Sequence, residues 1–212
     1  MIDDWKERLR SRAVDADFSP RCDQFYFLRH GQTEHNRQRI CQGQTDIPLN
    51  ETGVAQAKEA ASVFAQFKPV AMIASDLSRV QQTAKPVAEK LGLDVMIDAN
   101  LRERGFGIYE DKTIEGQLWS FDDPSVETIE DFVDRSLSGF TAALTRNDVL
   151  VVTHGGLRRV LEGALQLKMS YWASHNALPL RFTNSPSGWK AEALTRAGIW
   201  PTDGPEPSDL NR

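Results

Sequence analysis

The chain has only two cysteines, Cys22 and Cys41, in 212 residues. That is too few for a disulfide framework, and a reducing, cytoplasmic setting is expected. Long apolar runs are missing too: none approaches the ~20 residues a spanning helix needs, so no membrane partner is expected. The first residues, Met1-Ile2-Asp3-Asp4-Trp5-Lys6, carry acid where a signal peptide carries base and an apolar stretch, so a signal peptide is not expected. Positive charge is in deficit. Lys and Arg number 25 against 30 Asp and Glu, a formal balance of −5, which argues against nucleic acid as a partner. Histidines are four: His30, His35, His154 and His175. Their spacing matches no metal motif and no cysteine pair supports one, so no metal and no other cofactor is expected. The sequence shows no internal repeat and no signal for an oligomeric state.

Against these deficits stand three apolar runs that each end in chemistry. Phe25-Tyr26-Phe27 leads into Leu28-Arg29-His30-Gly31-Gln32-Thr33. Val70 to Ala74 leads into Ser75-Asp76-Leu77-Ser78-Arg79. Val149 to Val152 leads into Thr153-His154-Gly155-Gly156. Open α/β sheets place their chemistry in loops at the carboxyl ends of strands. A guanidinium fork suits phosphate or carboxylate oxygens. Arg29, His30, Arg79 and His154 at three strand ends therefore describe an oxyanion pocket with a nucleophile inside it.

The length and an apolar content of 40% suit one substantial core. Residues 1–22 read as an N-terminal extension, with Trp5, Leu9, Arg12 and Ala13 at the spacing of a short amphipathic helix packed on the outside or partly disordered. Residues 23–197 read as the catalytic domain. Helices are predicted from an Asn50 cap through Phe67, from a Ser78 cap to a stop at Gly92, over 125–144 and over 156–167. Pro86 predicts a kink or an early break in the second of these. Strands are predicted over 25–28, 70–74, 94–97 and 148–153, followed by a hairpin of 178–183 and 189–194. Alternating strands and helices predict an α/β fold, a three-layer α/β/α sandwich around a mainly parallel sheet. The stretch 198–212, with Pro201, Pro205 and Pro207, is expected to be a disordered tail.

Five blocks in order resemble the histidine phosphatase superfamily, in its phosphoglycerate-mutase-like branch. They are Leu28 to Thr33 with Asn36; Gln42-Gly43 with Asp46 to Leu49; Ser75 to Arg79 with Gln82-Thr83-Ala84; Leu101 to Gly107; and Thr153 to Gly156. One Arg-His-Gly alone would be weak evidence, whereas five ordered blocks are strong. The resemblance implies the same three-layer fold and a catalytic set of His30, Glu103, Arg29, Arg79 and His154. His30 is the expected nucleophile, neutral because its other ring nitrogen donates to a fixed acceptor such as a backbone carbonyl. Arg29, Arg79 and His154 are expected around the phosphate oxygens, with His154 adding charge if protonated. Glu103 is the candidate general acid. Its neighbours Arg102 and Arg104 must then point elsewhere or towards substrate. Asn36, Gln42, Gly43, Gly155 and Arg104 are the expected substrate-binding set, while Glu110, Asp111 and Glu115 are expected on a solvated face.

These residues imply a metal-independent phosphomonoesterase acting on small phosphorylated substrates through a phosphohistidine. The alternatives are a phosphoglycerate mutase using the same site, or a catalytically silent module that binds a phosphorylated ligand. His35 stands where mutases tend to carry tryptophan, and Ile108-Tyr109-Glu110-Asp111 blurs their glycine-containing pattern. The segment from Phe106 to Pro124 leaves room for one short cover, with Trp119, Phe121 and only Lys112 as a fresh cation, which favours hydrolysis over mutase chemistry.

Overall fold

Side-chain alternation along the central strands deals apolar groups to two separate cores, and that division sets the architecture. The computed structural model describes residues 4–113 and 123–206. Its main elements are α1 (Asp4–Asp15), β1 (Gln24–Arg29), α2 (Glu34–Gln38), α3 (Glu51–Phe67), β2 (Ala71–Ala74), α4 (Ser78–Leu91) and β3 (Val95–Ile97). They continue with α5 (Ile129–Ala143), β4 (Val149–Thr153), α6 (Gly155–Ala164), β5 (Pro179–Ser185), β6 (Gly188–Leu194) and β7 (Ile199–Pro201). Phe25, Phe27, Val149 and Val151 pack with α1, α5 and α6 on one face. Tyr26, Leu28, Leu150 and Val152 pack with α3 and α4 on the other. Strands buried on both faces read as continuous apolar runs, as these do. No helix of the described residues is long and apolar enough to cross a membrane.

The sheet runs β3-β2-β4-β1-β5-β6-β7. Its first four strands pair in parallel and the last three are added antiparallel, so the sheet is mixed around a parallel core. β1 and β4 are neighbours, with Arg29 opposite Thr153. β1 feeds α3 on one face and β4 feeds α6 on the other. The chain connections diverge to opposite faces at that point, the place where such sheets bind ligands.

Local signals explain most boundaries. Asn50 caps α3 by accepting from Gly53 N, and Gly92 ends α4 in the left-handed region at φ 67. The helix expected from Ser125 starts at Ile129, because Thr128 supplies the cap and Ser125 Oγ is bonded to Asp123 and to Ile108 N. α4 runs unbroken through Pro86, and its cap residue is Leu77, not Ser78. Val80, Ala84, Val87 and Ala88 bury one face on both sides of the proline, which offsets the bond it cannot donate.

The two ends of the chain depart from expectation. The helix predicted near Trp5 is present, but Leu9 and Ala13 are buried within the core of the α5 and α6 face, so this segment is integral. The tail expected to be disordered from Gly198 is ordered over its described part. β7 pairs with β6, Thr202 is buried, and the Gly204 carbonyl accepts from Ser170 Oγ and Trp172 Nε1. Proline content weakened the signal, and pairing with β6 provides the order that local propensity does not.

Candidate active site

His30 follows β1 and is 2% exposed. Its backbone N donates to Thr153 O of the neighbouring strand β4, continuing the ladder between the two. Its Nδ1 lies 2.7 Å from Gly31 O. A carbonyl only accepts, so Nδ1 carries the proton and Nε2 carries the lone pair. Burial, then the nearby Arg79 and Arg29 charges, push the imidazole well below its usual pKa of 6.5, so it is neutral at neutral pH. The loop is fixed by close backbone approach. A Cβ on Gly31 would stand 2.5 Å from Gly53 O, so only glycine fits there. Gly31 N donates to Thr83 Oγ1, which donates onward to Arg79 O.

His154 follows β4 and is fully buried, with its ring edge-on to His30 at 5.3 Å between centroids. Its Nε2 lies 3.2 Å from Ser75 Oγ, and its Nδ1 has no hydrogen-bond partner among the described residues. Burial and the charges of Arg79 and Arg29 hold it well below its usual pKa as well. The imidazolium considered from sequence is therefore not the state of the free protein.

Arg29 and Arg79 are the cations. Arg29 Nη1 donates to Ser174 O at 2.6 Å, and its Nε has no partner. Arg79 is fully buried. Its Nη1 and Nη2 donate to Thr45 O and Gly43 O, and its Nε has no partner. Burial lowers its pKa to about 10, which leaves it charged. The loop that receives Arg79 is built by Glu110. That carboxylate accepts from Gln44 N, Thr45 N, Thr45 Oγ1 and Phe106 N at 2.7–3.0 Å. Glu110 is thus a loop-building acceptor and not part of a solvated face, while Asp111 pairs with His35.

Glu103 is half-buried. Its Oε2 accepts from Gly156 N in the first turn of α6, and its Oε1 from Arg104 N. Both Arg29 and Arg79 feel its charge. Both flanking arginines point elsewhere. Arg102 grips Asp76 with Nε and Nη2. Arg104, at 2% exposure, donates from Nε to Glu127 O and lies 5.4 Å over the Phe106 ring. Through that Nε bond Arg104 ties the acid-bearing segment to the entry of α5. Arg135 adds to that tie by donating to the carbonyls of Asn100, Arg102 and Glu103.

The rest of the expected substrate set lines the loops. Asn36 Oδ1 accepts from Thr33 N and Asn176 Nδ2, and Gln42 Oε1 accepts from Thr33 Oγ1, so both oxygens are used internally. Gly43 sits at φ 51, and a Cβ there would lie 2.1 Å from Glu110 Oε1. A Cβ on Gly155 would lie 3.3 Å from Arg29 Nε. Glu115, Trp119 and Phe121 lie outside the described residues. Sequence reasoning missed the segment 174–177, where Asn176 Nδ2 donates to His30 O and Ala177 N to Arg29 O. No local pattern marks it, because its partners are 146 positions away. Among the described residues no three of His, Cys, Asp and Glu are grouped to hold a metal ion.

A family model described as the histidine phosphatase superfamily (branch 1) matches residues 25–191. The "Uncharacterized phosphatase PhoE" of Bacillus subtilis (strain 168) is 36% identical over 134 residues, 60% of this chain and 69% of that protein. A "Probable phosphoglycerate mutase GpmB" of Enterobacter sp. (strain 638) is 40% identical over 92 residues, which is 43% of either chain. Among solved structures, mycobacterial glucosyl-3-phosphoglycerate phosphatase Rv2419c is 26% identical with a TM-score of 0.66, over 81% of this chain and 97% of that one. Phosphoglycerate mutase from Bacillus anthracis str. Sterne, 24% identical, reaches 0.67 over 80% and 91%, and shows the shared fold.

Proposed function

The chain belongs to the histidine phosphatase superfamily, branch 1, and from that premise we propose that it is a metal-independent phosphomonoesterase that works through phospho-His30. One observation carries the reading. Three buried nitrogens around His30, namely Arg29 Nε, Arg79 Nε and His154 Nδ1, have no hydrogen-bond partner among the described residues. Burying polar atoms unpaired is costly, and a phosphoryl group with three non-bridging oxygens would satisfy all three. Gly155 keeps a side chain away from Arg29 Nε, and Asn36 and Gln42 have amide N–H groups to offer a substrate.

The chemistry then follows from the neutral state of His30. Neutral Nε2 of His30 attacks phosphorus, and the bond from phosphorus to the ester oxygen breaks. Glu103 is the group that gives a proton to the leaving oxygen. Water then attacks the phosphohistidine, Glu103 accepts a proton from it, and Nε2 departs with its lone pair restored. Arg29 and Arg79 hold the charge on the equatorial oxygens throughout. The likeness to GpmB favours a second reading, phosphoryl return to a phosphoglycerate.

Two measurements test this. His30→Ala should abolish turnover of p-nitrophenyl phosphate, and trapping with labelled substrate should place phosphate on His30; full activity in the variant ends the proposal. Phosphate release from several small monoesters should outpace interconversion of 3- and 2-phosphoglycerate in the presence of bisphosphoglycerate. The opposite ranking replaces hydrolase with mutase. A protein that binds phosphate without either activity is the silent module.

A further inference from the structure

The residue after His30 has to be glycine, because a Cβ on Gly31 would stand 2.5 Å from Gly53 O. Glycine brings more backbone freedom than any other residue. The acceptor of His30 Nδ1 is Gly31 O, so freedom at Gly31 is freedom for the reacting ring. Hydrogen bonds from other segments remove it. His30 O accepts from Asn176 Nδ2 and Ala177 N. Gly31 N donates to Thr83 Oγ1 at 2.9 Å, and Gln32 N donates to Gln56 Oε1 at 2.8 Å. The peptides on both sides of Gly31 are thus held at their C=O and at their N–H.

Thr83 differs from the other anchors in what stands behind it. It is fully buried on α4, and its hydroxyl proton goes to Arg79 O at 2.7 Å, one turn earlier. A helical threonine often makes that bond to its own helix. Here the same oxygen also receives an N–H from 52 positions away. Both directions are fixed, since a carbonyl can only accept and an amide N–H can only donate. One hydroxyl therefore joins the backbone of Arg79 to the backbone beside His30. The sheet does not set that spacing directly, because β4 lies between β1, which carries His30, and β2, which leads to Arg79.

We propose that Thr83 is a positioning residue for phosphoryl transfer, one that fixes the nucleophile loop against the helix turn carrying Arg79. The proposal rests on the phosphatase reading. In-line attack needs His30 Nε2 behind phosphorus while Arg79 holds the equatorial oxygens, and small misplacements of such groups are costly. Loss of the tie should therefore harm alignment more than it harms capture of the anion.

The test compares variants of the full chain by kcat and KM for p-nitrophenyl phosphate and by inhibition with inorganic phosphate and with vanadate. Vanadate mimics the five-coordinate transfer state when an aligned nucleophile meets it, whereas inorganic phosphate needs only the clamp. Thr83→Val removes both bonds at nearly constant volume, and should lower kcat about tenfold or more while KM stays within about threefold. It should weaken vanadate about tenfold and inorganic phosphate less than about threefold. Thr83→Ser keeps the hydroxyl and should recover most of the lost kcat and vanadate affinity. Thr83→Ala should show the same split between the two anions, and serves if the valine form does not fold. In the free wild-type protein the Gly31 amide should exchange slowly with solvent. Equal weakening of vanadate and phosphate, an unchanged kcat, a serine form as slow as the valine form, or a fast-exchanging Gly31 amide would each overturn the proposal. A wild type with neither turnover nor phospho-His30 would sink the phosphatase reading, and a working phosphatase indifferent to Thr83→Val would sink this proposal alone.

Discussion

Lowering the pH should destabilise this protein in a window where few of its other groups act. His30 and His154 are buried neutral, each well below the 6.5 of a free imidazole. In the unfolded chain both titrate near that value. Below it the unfolded state binds more protons than the folded one, so stability falls as pH falls. From about pH 7.5 to about pH 5.5 each histidine should remove about 1.4 kcal/mol, about 2.7 kcal/mol together. The carboxylates held low by partners, such as Asp76 and Glu130, start from ordinary values of 3.8 and 4.5 and lose their contribution only at more acid pH. The raised thiols of Cys22 and Cys41 respond only in alkali. Urea unfolding at the two pH values measures the difference directly. His30→Gln combined with His154→Gln should reduce it by the full amount. A wild-type difference under about 0.5 kcal/mol, or one that survives the double variant, refutes the reasoning.

Three further outcomes are expected. Glu110→Ala leaves three backbone N–H groups and the Thr45 hydroxyl without their acceptor; it should cost about 3 kcal/mol and lower Tm by about 6–12 °C, with KM raised as Arg79 loses its anchored carbonyls. A melt within about 2 °C of wild type contradicts that. Leu9→Ala should destabilise by about 2–4 kcal/mol in urea unfolding, since the side chain is 3% exposed in the core; less than about 1 kcal/mol would mean α1 is dispensable. Glu103→Gln should slow esters with poor leaving groups far more than p-nitrophenyl phosphate, and equal slowing of both would remove Glu103 from the acid role.

Residues whose roles depend on local chain geometry were visible in the sequence. Asn50 as a cap, Gly92 as a stop, and Arg29, His30, Arg79 and His154 just past or near strand ends all follow from short-range pattern. Residues that act through distant partners were not. Glu110 looked like surface charge because its four donors come from the 44–45 and 106 positions, which only the fold brings together. Ser75 was part of a recognised block without a task, since its partner His154 is 79 positions away. The helix through Pro86 and the terminal strand were missed for a related reason: packing overrode a local propensity in both cases.

The segment 170–177 acts as a splint between the last described residues and the reacting histidine. At one end Ser170 N donates to Thr202 O, and Ser170 Oγ and Trp172 Nε1 hold Gly204 O. At the other, Ser174 O, Asn176 and Ala177 N hold Arg29 and His30. A disturbance at 202–204 is therefore passed to Arg29 and His30 without either being touched. A preparation nicked or fused close to Gly204 would contain molecules of unequal activity, and the spread would report the state of the splint and not of the chemistry.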